Sequence, residues 1–529
     1  MKRLWFNGIV ISMDSDMRQY EAIGVENEHI IFLGDNVDAL QQAWDEQIDL
    51  KGAMILPGFH DTHMHLLNYA MFQKDVALFG IKSIEEIIVL CQERIAQRHP
   101  NYLLGIGWDQ EIMAEGRMPT RADMDRISTE IPVCTIRSCF HVAVCNTVML
   151  EQIRNLKNST AEILRYVDFE QGVLREDAMR LYREVIPKAD RAYIRELFLN
   201  GQRALNSAGI TCVHSDDLKV LSGVDPLQII GILREMEAAG ELTIRLYEQC
   251  LVDEADFQNL QSVRSKPDDH TSLFRTGPRK LLQDGSLGAK SAEMIDGYAD
   301  NPDNHGIPIH AEEELYRLIK AAHRDRMDVA VHAIGDLALK KVCDAVERVE
   351  NEDPWPEHRH AVVHAQITTP ELLARMRKLG LQVLIQPIFI EADMGVIEDR
   401  VGLEHAKTCH NWNSMLKQGL HVSGGSDCPV ESFDVLDNLR AAITRENRAG
   451  TQVYLPEQAL TVDQALRLFT SSAAWASRDE DIRGTLELGK LADLVVLDQN
   501  LLEISPRQFT SVRVLETVLN GRTVYQARQ

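Results

Sequence analysis

No stretch of the 529 residues approaches the ~20 continuous apolar residues that a membrane-spanning helix needs. The opening run MKRLWFNGIVISMDSD reaches Asp14 and Asp16 without an A-x-A-like cleavage site, so a strand is expected there rather than a signal peptide. Cationic charge is also in short supply. Lys and Arg number 56 against 80 Asp and Glu, a formal net charge of -24. That deficit argues against nucleic-acid binding, which displaces counterions from a cationic surface, and against docking on anionic membranes. No C-x-x-C pair occurs, and the nine cysteines are odd in number and irregularly spaced. A disulfide scaffold and a thiolate zinc site are thereby excluded. The cysteines are expected to be small buried residues in a reducing compartment. There is no P-loop, and Gly424-Gly425-Ser426 does not meet the G-x-S-x-G pattern of a nucleophile elbow. A soluble cytoplasmic enzyme is the expectation.

What the chain does contain is a series of short apolar runs, each ending in polar residues. They are 54–65 (MILPGFHDTHMH), 210–217 (ITCVHSDD), 242–249 (LTIRLYEQ), 279–285 (RKLLQDG), 329–336 (VAVHAIGD), 361–366 (AVVHAQ), 381–387 (LQVLIQP) and 421–427 (HVSGGSD). Helical patterns such as 313–325 (EELYRLIKAAHRD) separate them. Eight such units fit a parallel α/β fold, a (β/α)8 TIM barrel spanning 54–69 and 206–484. The first gap is much longer than one crossover needs, so 70–205 is expected to be an insertion with structure of its own. Residues 1–53 and 485–529 carry short strand patterns, the latter with an Asn520-Gly521 hairpin signal. Neither end alone supplies enough strands for a stable sheet, and together they make one composite β-sandwich.

The strongest local signal is His63-Met64-His65 at the end of the first strand. Residues i and i+2 of a strand share a face, so both rings can reach one metal ion; a pair of hydrogen-bonded histidines is the bland alternative. His332, His364 and Asp427 also terminate apolar runs, and in a parallel barrel all such ends meet on the face where active sites sit. Lys280 begins the run KLLQDG. A lysine buried beside cations is costly as an ammonium; as a carbamate it becomes an oxygen ligand, and as an ammonium it would need a salt bridge.

These stretches resemble the amidohydrolase superfamily, specifically the amidohydrolase-3 group typified by N-substituted formamide deformylase. The matching segments run nearly end to end: PGFHDTHMH, GWDQ (107–110), AGIT (208–211), KLLQDGSLGAKSA (280–292), HAIGD, HAQ, GGSDCPV and GTLELGKLADLVVLD (484–498). The resemblance implies an inserted domain over the active-site mouth. It makes His63, His65, His332 and His364 metal ligands, Lys280 an N6-carboxylated bridging ligand, and Asp427 a metal-contacting general acid/base. His141 becomes a substrate-side residue supplied by the insertion. Trp108 and Asp284 fall in matching motifs without an assigned role. Cys428 departs from the aromatic residue often found after the catalytic aspartate. In His214-Ser215-Asp216-Asp217 a capped loop is preferred over substrate contact.

The chemistry so implied is hydrolysis of an amide or formamide C–N bond of a small molecule, outside the peptide bonds, by hydroxide activated on one or two divalent cations. Zinc suits the ligands, with manganese or iron also reasonable. The alternatives are a cyclic imide, urea or amidine hydrolase of deaminase type, or a catalytically silent binding protein that kept the fold. A small-molecule substrate and a homodimer are the expected partners.

Overall fold

The computed structural model describes residues 1–137, 142–157, 160–186, 189–221, 223–266 and 269–528. They fall into two compact units. One comprises Met1–Leu66, Phe198–Lys219 and Pro226–Gln529; the other comprises Leu67–Leu197 and Val220–Asp225.

The first unit is built on eight strands: β1 (Phe59–Met64), β2 (Ile210–Ser215), β3 (Arg245–Cys250), β4 (Phe274–Leu282), β5 (Val329–Ala333), β6 (Ala361–His364), β7 (Gln382–Ile385) and β8 (His421–Gly424). Their order in the sheet follows their order in the chain, and every ladder is parallel. Thr62 Oγ donates to Gly424 O at 2.9 Å, and Asp427 N–H donates to His63 O at 2.7 Å. These two bonds bring β8 back to β1, so the barrel is nearly closed. Strands such as β6 (AVVH) and β7 (QVLI) are buried throughout. Side chains fill the interior and helices cover the outside, which explains apolar runs in place of alternation. The helix Glu312–Arg324 shows the complementary pattern: it buries Leu315, Leu318, Ile319 and Ala322 and carries Glu312, Glu313 and Glu314 in its first turn, where the helix dipole favours anions.

Some boundaries differ from expectation: the run 54–65 is split, with only Phe59–Met64 in the barrel and Met54–Pro57 in another sheet. β4 begins at Phe274 rather than near 279, running through Gly277-Pro278. Glu248 pairs with Thr276 and Cys250 with Arg279, so the register shifts there. A proline in such an irregularity removes no ladder bond, which is why a sequence break was not a structural one.

Both chain ends share two further sheets in this unit. In the six-stranded sheet, Met54–Pro57 runs antiparallel to Leu494–Leu497, so the segment leading into β1 is paired with a C-terminal strand. Asn520 and Gly521 turn the final hairpin with φ of 49° and 69°, as a two-residue turn with both residues left-handed requires. Trp5, Ile23, Ile55, Leu494, Val496 and Val518 form one buried cluster between these sheets.

The second unit holds a six-stranded mixed sheet with an apolar cluster on each face. Ile84, Ile87 and Ile88 belong to one cluster, and Met149, Leu150 and Ile153 to the other. Among the described residues, no helix is long and apolar enough to cross a membrane, and the eight described cysteines are free and buried.

Candidate metal centre

His63 lies in β1, Lys280 in β4, His332 in β5 and His364 at the end of β6. His65 follows β1 and Asp427 follows β8, beyond the strand ends. The barrel brings all six together. His63 Nε2 stands 3.1 Å from Lys280 Nζ and 3.3 Å from Asp427 Oδ1, and His65 Nε2 is 3.0 Å from the same oxygen. The His364 ring is 5.8 Å from that of His63 and 4.5 Å from that of His332. Ligand-type atoms of His63, His65 and Asp427 all lie within 4.8 Å of one another.

The loop after β8 is shaped to deliver Asp427. A Cβ at Gly425 would fall 2.5 Å from His63 N, so only glycine lets the two backbones approach this closely. Ser426 N–H and His63 N–H both donate to Asp61 Oδ1, at 3.1 and 3.0 Å. Asp427 itself has φ 57°, a left-handed conformation that aspartate tolerates better than most residues. Cys428 is buried, and its carbonyl accepts the His65 N–H at 2.8 Å. It holds the second histidine by its backbone.

Each imidazole has one nitrogen engaged by an oxygen outside the centre. His63 Nδ1 meets Gln249 Oε1 at 2.8 Å, His65 Nδ1 meets Asp216 O at 3.2 Å, and His364 Nδ1 meets Gln386 Oε1 at 2.6 Å. His332 is reversed, with Nε2 donating to Gly285 O at 3.0 Å. Each of these acceptors orients its ring, and at His63, His332 and His364, which burial keeps neutral, it also fixes the proton on the engaged nitrogen. Gln249 and Gln386 were missed by sequence reasoning. Their signal was a glutamine near the end of an apolar strand, in YEQC and LIQP, which carries no chemistry until the histidine opposite is known.

The electrostatics suit the same purpose. Burial, helped by the Lys280 charge, holds His63 down at about 3 and His332 at about 4. Burial also depresses His364, with His332 beside it. Burial opposes the charged form of His65 too, but the hydrogen bond and charge of Asp427, joined by Asp216, raise it to about 9. The buried Lys280 amine is depressed by desolvation, with Asp216 and Asp427 acting against it. Neutral imidazoles and carboxylate are the forms a metal requires; His63, His332 and His364 already have that form, and His65 must give up a proton as a cation binds. With that exchange the donor set of four pinned rings, one carboxylate and a buried amine fits a divalent cation.

Other sequence-selected residues fall elsewhere. His141 lies outside the described residues. Trp108 is buried in a core of the second unit, and its indole N–H has no acceptor among the described residues. Asp284 accepts the backbone N–H groups of Glu293, Ile334 and Gly335 at 2.9, 3.0 and 2.8 Å. It ties the segment after β4 to the end of β5, and burial pushes it up to about 7. His214 faces the barrel interior, its ring 4.7 Å from His60. Ser215 and Asp217 behave as a capped loop, with Ser215 Oγ donating to Asp217 Oδ2 at 2.6 Å and Asp217 N–H to Glu248 Oε1 at 2.8 Å.

Residues 46–525 match the model of the amidohydrolase family. The putative amidohydrolase YtcJ of Bacillus subtilis is 29% identical over 99% of this chain and 100% of its own length. The N-substituted formamide deformylase of Arthrobacter pascens is 25% identical, with 98% and 97% covered. A crystal structure of an uncharacterized metal-dependent hydrolase from Pyrococcus horikoshii superposes with a TM-score of 0.80 at 28% identity, covering 96% of this chain and 99% of that one.

Proposed function

The chain belongs to the amidohydrolase family, and from that premise we propose that it hydrolyses an amide- or formamide-type C–N bond, other than a peptide bond, in a small molecule. The observation that carries this reading is the set of four imidazoles, each pinned through one nitrogen by an outside acceptor around Asp427 and Lys280. His63, His65, His332, His364 and Asp427 would hold one or two divalent cations, and imidazole with carboxylate suits zinc. Lys280 joins them once its neutral amine has added to carbon dioxide, forming an N–C bond and releasing one proton to leave a carbamate anion. When bound, such a cation supplies Lewis acidity toward a carbonyl oxygen and lowers the pKa of water toward neutrality.

The chain's own residues do the rest. Both histidine contacts of Asp427 are made by Oδ1, which leaves Oδ2 to accept the proton of the attacking water. The same carboxyl then returns that proton to the leaving nitrogen, so one group serves as base and acid in turn. Gly425 and the left-handed Asp427 backbone keep this carboxylate at the centre. The formamide class draws support from the Arthrobacter relative, which bears that activity in its name.

Elemental analysis of protein purified without added metal tests the proposal, together with a panel of amides and formamides. One or two equivalents of zinc, manganese or iron with turnover of a panel member is the expected result. Protein that is metal-free and refuses zinc would sink it and leave the binding-protein alternative.

A further inference from the structure

Four buried carboxylates surround the centre: Asp61, Asp216, Asp284 and Asp427. Three have donors. Asp61 takes two backbone N–H groups, Asp284 takes three, and Asp427 faces His63 and His65. The Asp216 side chain has neither a hydrogen bond nor an ion pair with any described residue, although the residue is only 3% exposed. Asp61 Oδ2 is fully enclosed without a partner, but the Asp216 oxygens are not fully enclosed, so they can be reached from the mouth, and a carboxylate so placed without a protein donor calls for an explanation.

Its position is fixed by the backbone. Asp216 N–H donates to Met64 O at 3.0 Å, and Asp216 O accepts from His65 Nδ1 at 3.2 Å. In β2, Cys212 Sγ meets His60 at 3.1 Å, and His214 lines a small cavity inside the barrel with Tyr247, Gln249, Ala330, Ala361 and Leu384. Side chains alternate along a strand, so Asp216 continues the inward-facing row of Cys212 and His214 one step beyond the strand's C-terminal end, at the mouth. The charged groups that face it are His65, Lys280 and Asp427, with Glu248 of β3 on its other side. It therefore flanks the centre on the β1–β2 side, apart from the cluster of His63, His65 and Asp427 whose ligand atoms converge. That side is open: the His65 side chain is 24% exposed, against 2% for His63.

We infer that Asp216 is a specificity-determining residue that receives a cationic group of the substrate, so that the amide cleaved here carries a protonated amine. The inference rests on the hydrolase reading above for the word substrate. An ammonium placed beside Asp216 supplies the hydrogen-bond donor that no described residue provides, while the amide carbon lies toward Asp427. The net charge of -24 favours the same class, because an anionic protein raises the local concentration of cations.

The test compares three N-acetylated amines of similar length with the metal-loaded enzyme: N-acetyl-1,4-diaminobutane, N-butylacetamide and N-acetyl-4-aminobutyrate. The expected result is a preference in kcat/KM of about 10–100-fold for the cationic amide over the neutral one, the range for a hydrogen bond to a charged group. Asp216→Asn should collapse that ratio through KM, and Asp216→Glu should restore part of it. Calorimetric titration with butylammonium gives a readout that needs no turnover: binding to wild type, none to Asp216→Asn. Metal content is measured in each variant. Equal rates for cationic and neutral amides, an unchanged ratio in Asp216→Asn, or loss of metal from that variant would each overturn the assignment. If no amide is hydrolysed but butylammonium still binds only when Asp216 is present, the hydrolase reading fails and Asp216 keeps only its role as a cation-binding residue.

Discussion

Two clusters of histidine and aspartate sit at opposite ends of one barrel, and both have ligand-type atoms within 4.8 Å of one another. The first is the centre built on His63, His65 and Asp427. The second comprises Asp328, His358 and His360, just before β5 and β6. Its acceptor atoms are already spent on the backbone. Val329 N–H donates to His360 Nδ1 at 3.2 Å, His360 N–H to His358 Nδ1 at 3.2 Å, and Arg359 N–H to Asp328 Oδ1 at 2.6 Å. His360 must then carry its proton on Nε2, which donates to His323 Nδ1 at 3.0 Å, and His323 Nε2 donates to Asp353 O at 2.6 Å. Arg478 completes the set by donating to Asp328 Oδ2 at 2.8 Å. Proximity of histidines thus does not make a metal centre. The deciding feature is what the inward atoms face: at the first cluster they face one another and the Lys280 amine, which a cation can replace, and at the second they hold backbone N–H donors that cannot leave.

The largest effect should come from exchanging the two clusters as targets. Replacing His63 and His65 by Ala should strip the protein of divalent metal and of hydrolysis, whereas His358→Leu with His360→Leu should leave metal content unchanged. Elemental analysis decides, and equal losses from both pairs would erase the distinction. Next in size, Asp427→Asn should lower kcat/KM by about 10²–10⁴-fold while metal stays bound, the range for a lost general acid/base; surviving turnover would remove Asp427 as the proton carrier. Gln249→Leu and Gln386→Leu delete the oxygens that orient His63 and His364. Metal affinity measured by competition with a chelator should weaken by about 10–100-fold for each.

Smaller effects sharpen the second cluster. His360→Leu leaves the Val329 N–H without an acceptor, and urea unfolding should show a loss of about 1–3 kcal/mol. The smallest effect concerns pH. Burial holds His358 and His360 below their ordinary value, with neighbouring charges modulating His358 and neighbouring histidines adding to the shift of His360. A histidine depressed in the fold contributes its full stability above about pH 6.5, its unfolded value. As pH falls from there toward the folded value, the unfolded chain takes up a proton that the fold refuses, and stability drops by about 1.4 kcal/mol per pH unit for each group. Unfolding free energies between pH 7.5 and 5 should therefore fall less steeply in His360→Leu than in wild type. Parallel curves would show that the relay is not held neutral.

Much of the barrel could be read from the residues because its signals are local. VAVH, AVVH and VSGGSD each end an apolar run in a group with metal chemistry, and parallel strands place such ends on one face. The start of β4 was not readable, because the irregularity that accommodates Gly277-Pro278 depends on pairing with β3. Nor was the division of labour in His214-Ser215-Asp216-Asp217. Ser215 and Asp217 find partners in each other and in Glu248, while the Asp216 side chain finds none among the described residues, a difference set by the neighbouring strand.

The sequence by itself determined which residue types stand at the strand ends, and so the family and the metal-binding chemistry, since apolar period and terminal residue lie within a few positions of each other. Only the tertiary structure decided which nitrogen of each histidine faces the centre, which glutamines hold two of the rings, that Asp328, His358 and His360 are spent on the backbone, and that the Asp216 side chain has no hydrogen-bond donor among the described residues. Those outcomes depend on the register between strands as distant as β1 and β8, and a hydrogen bond is made or missed within less than an ångström.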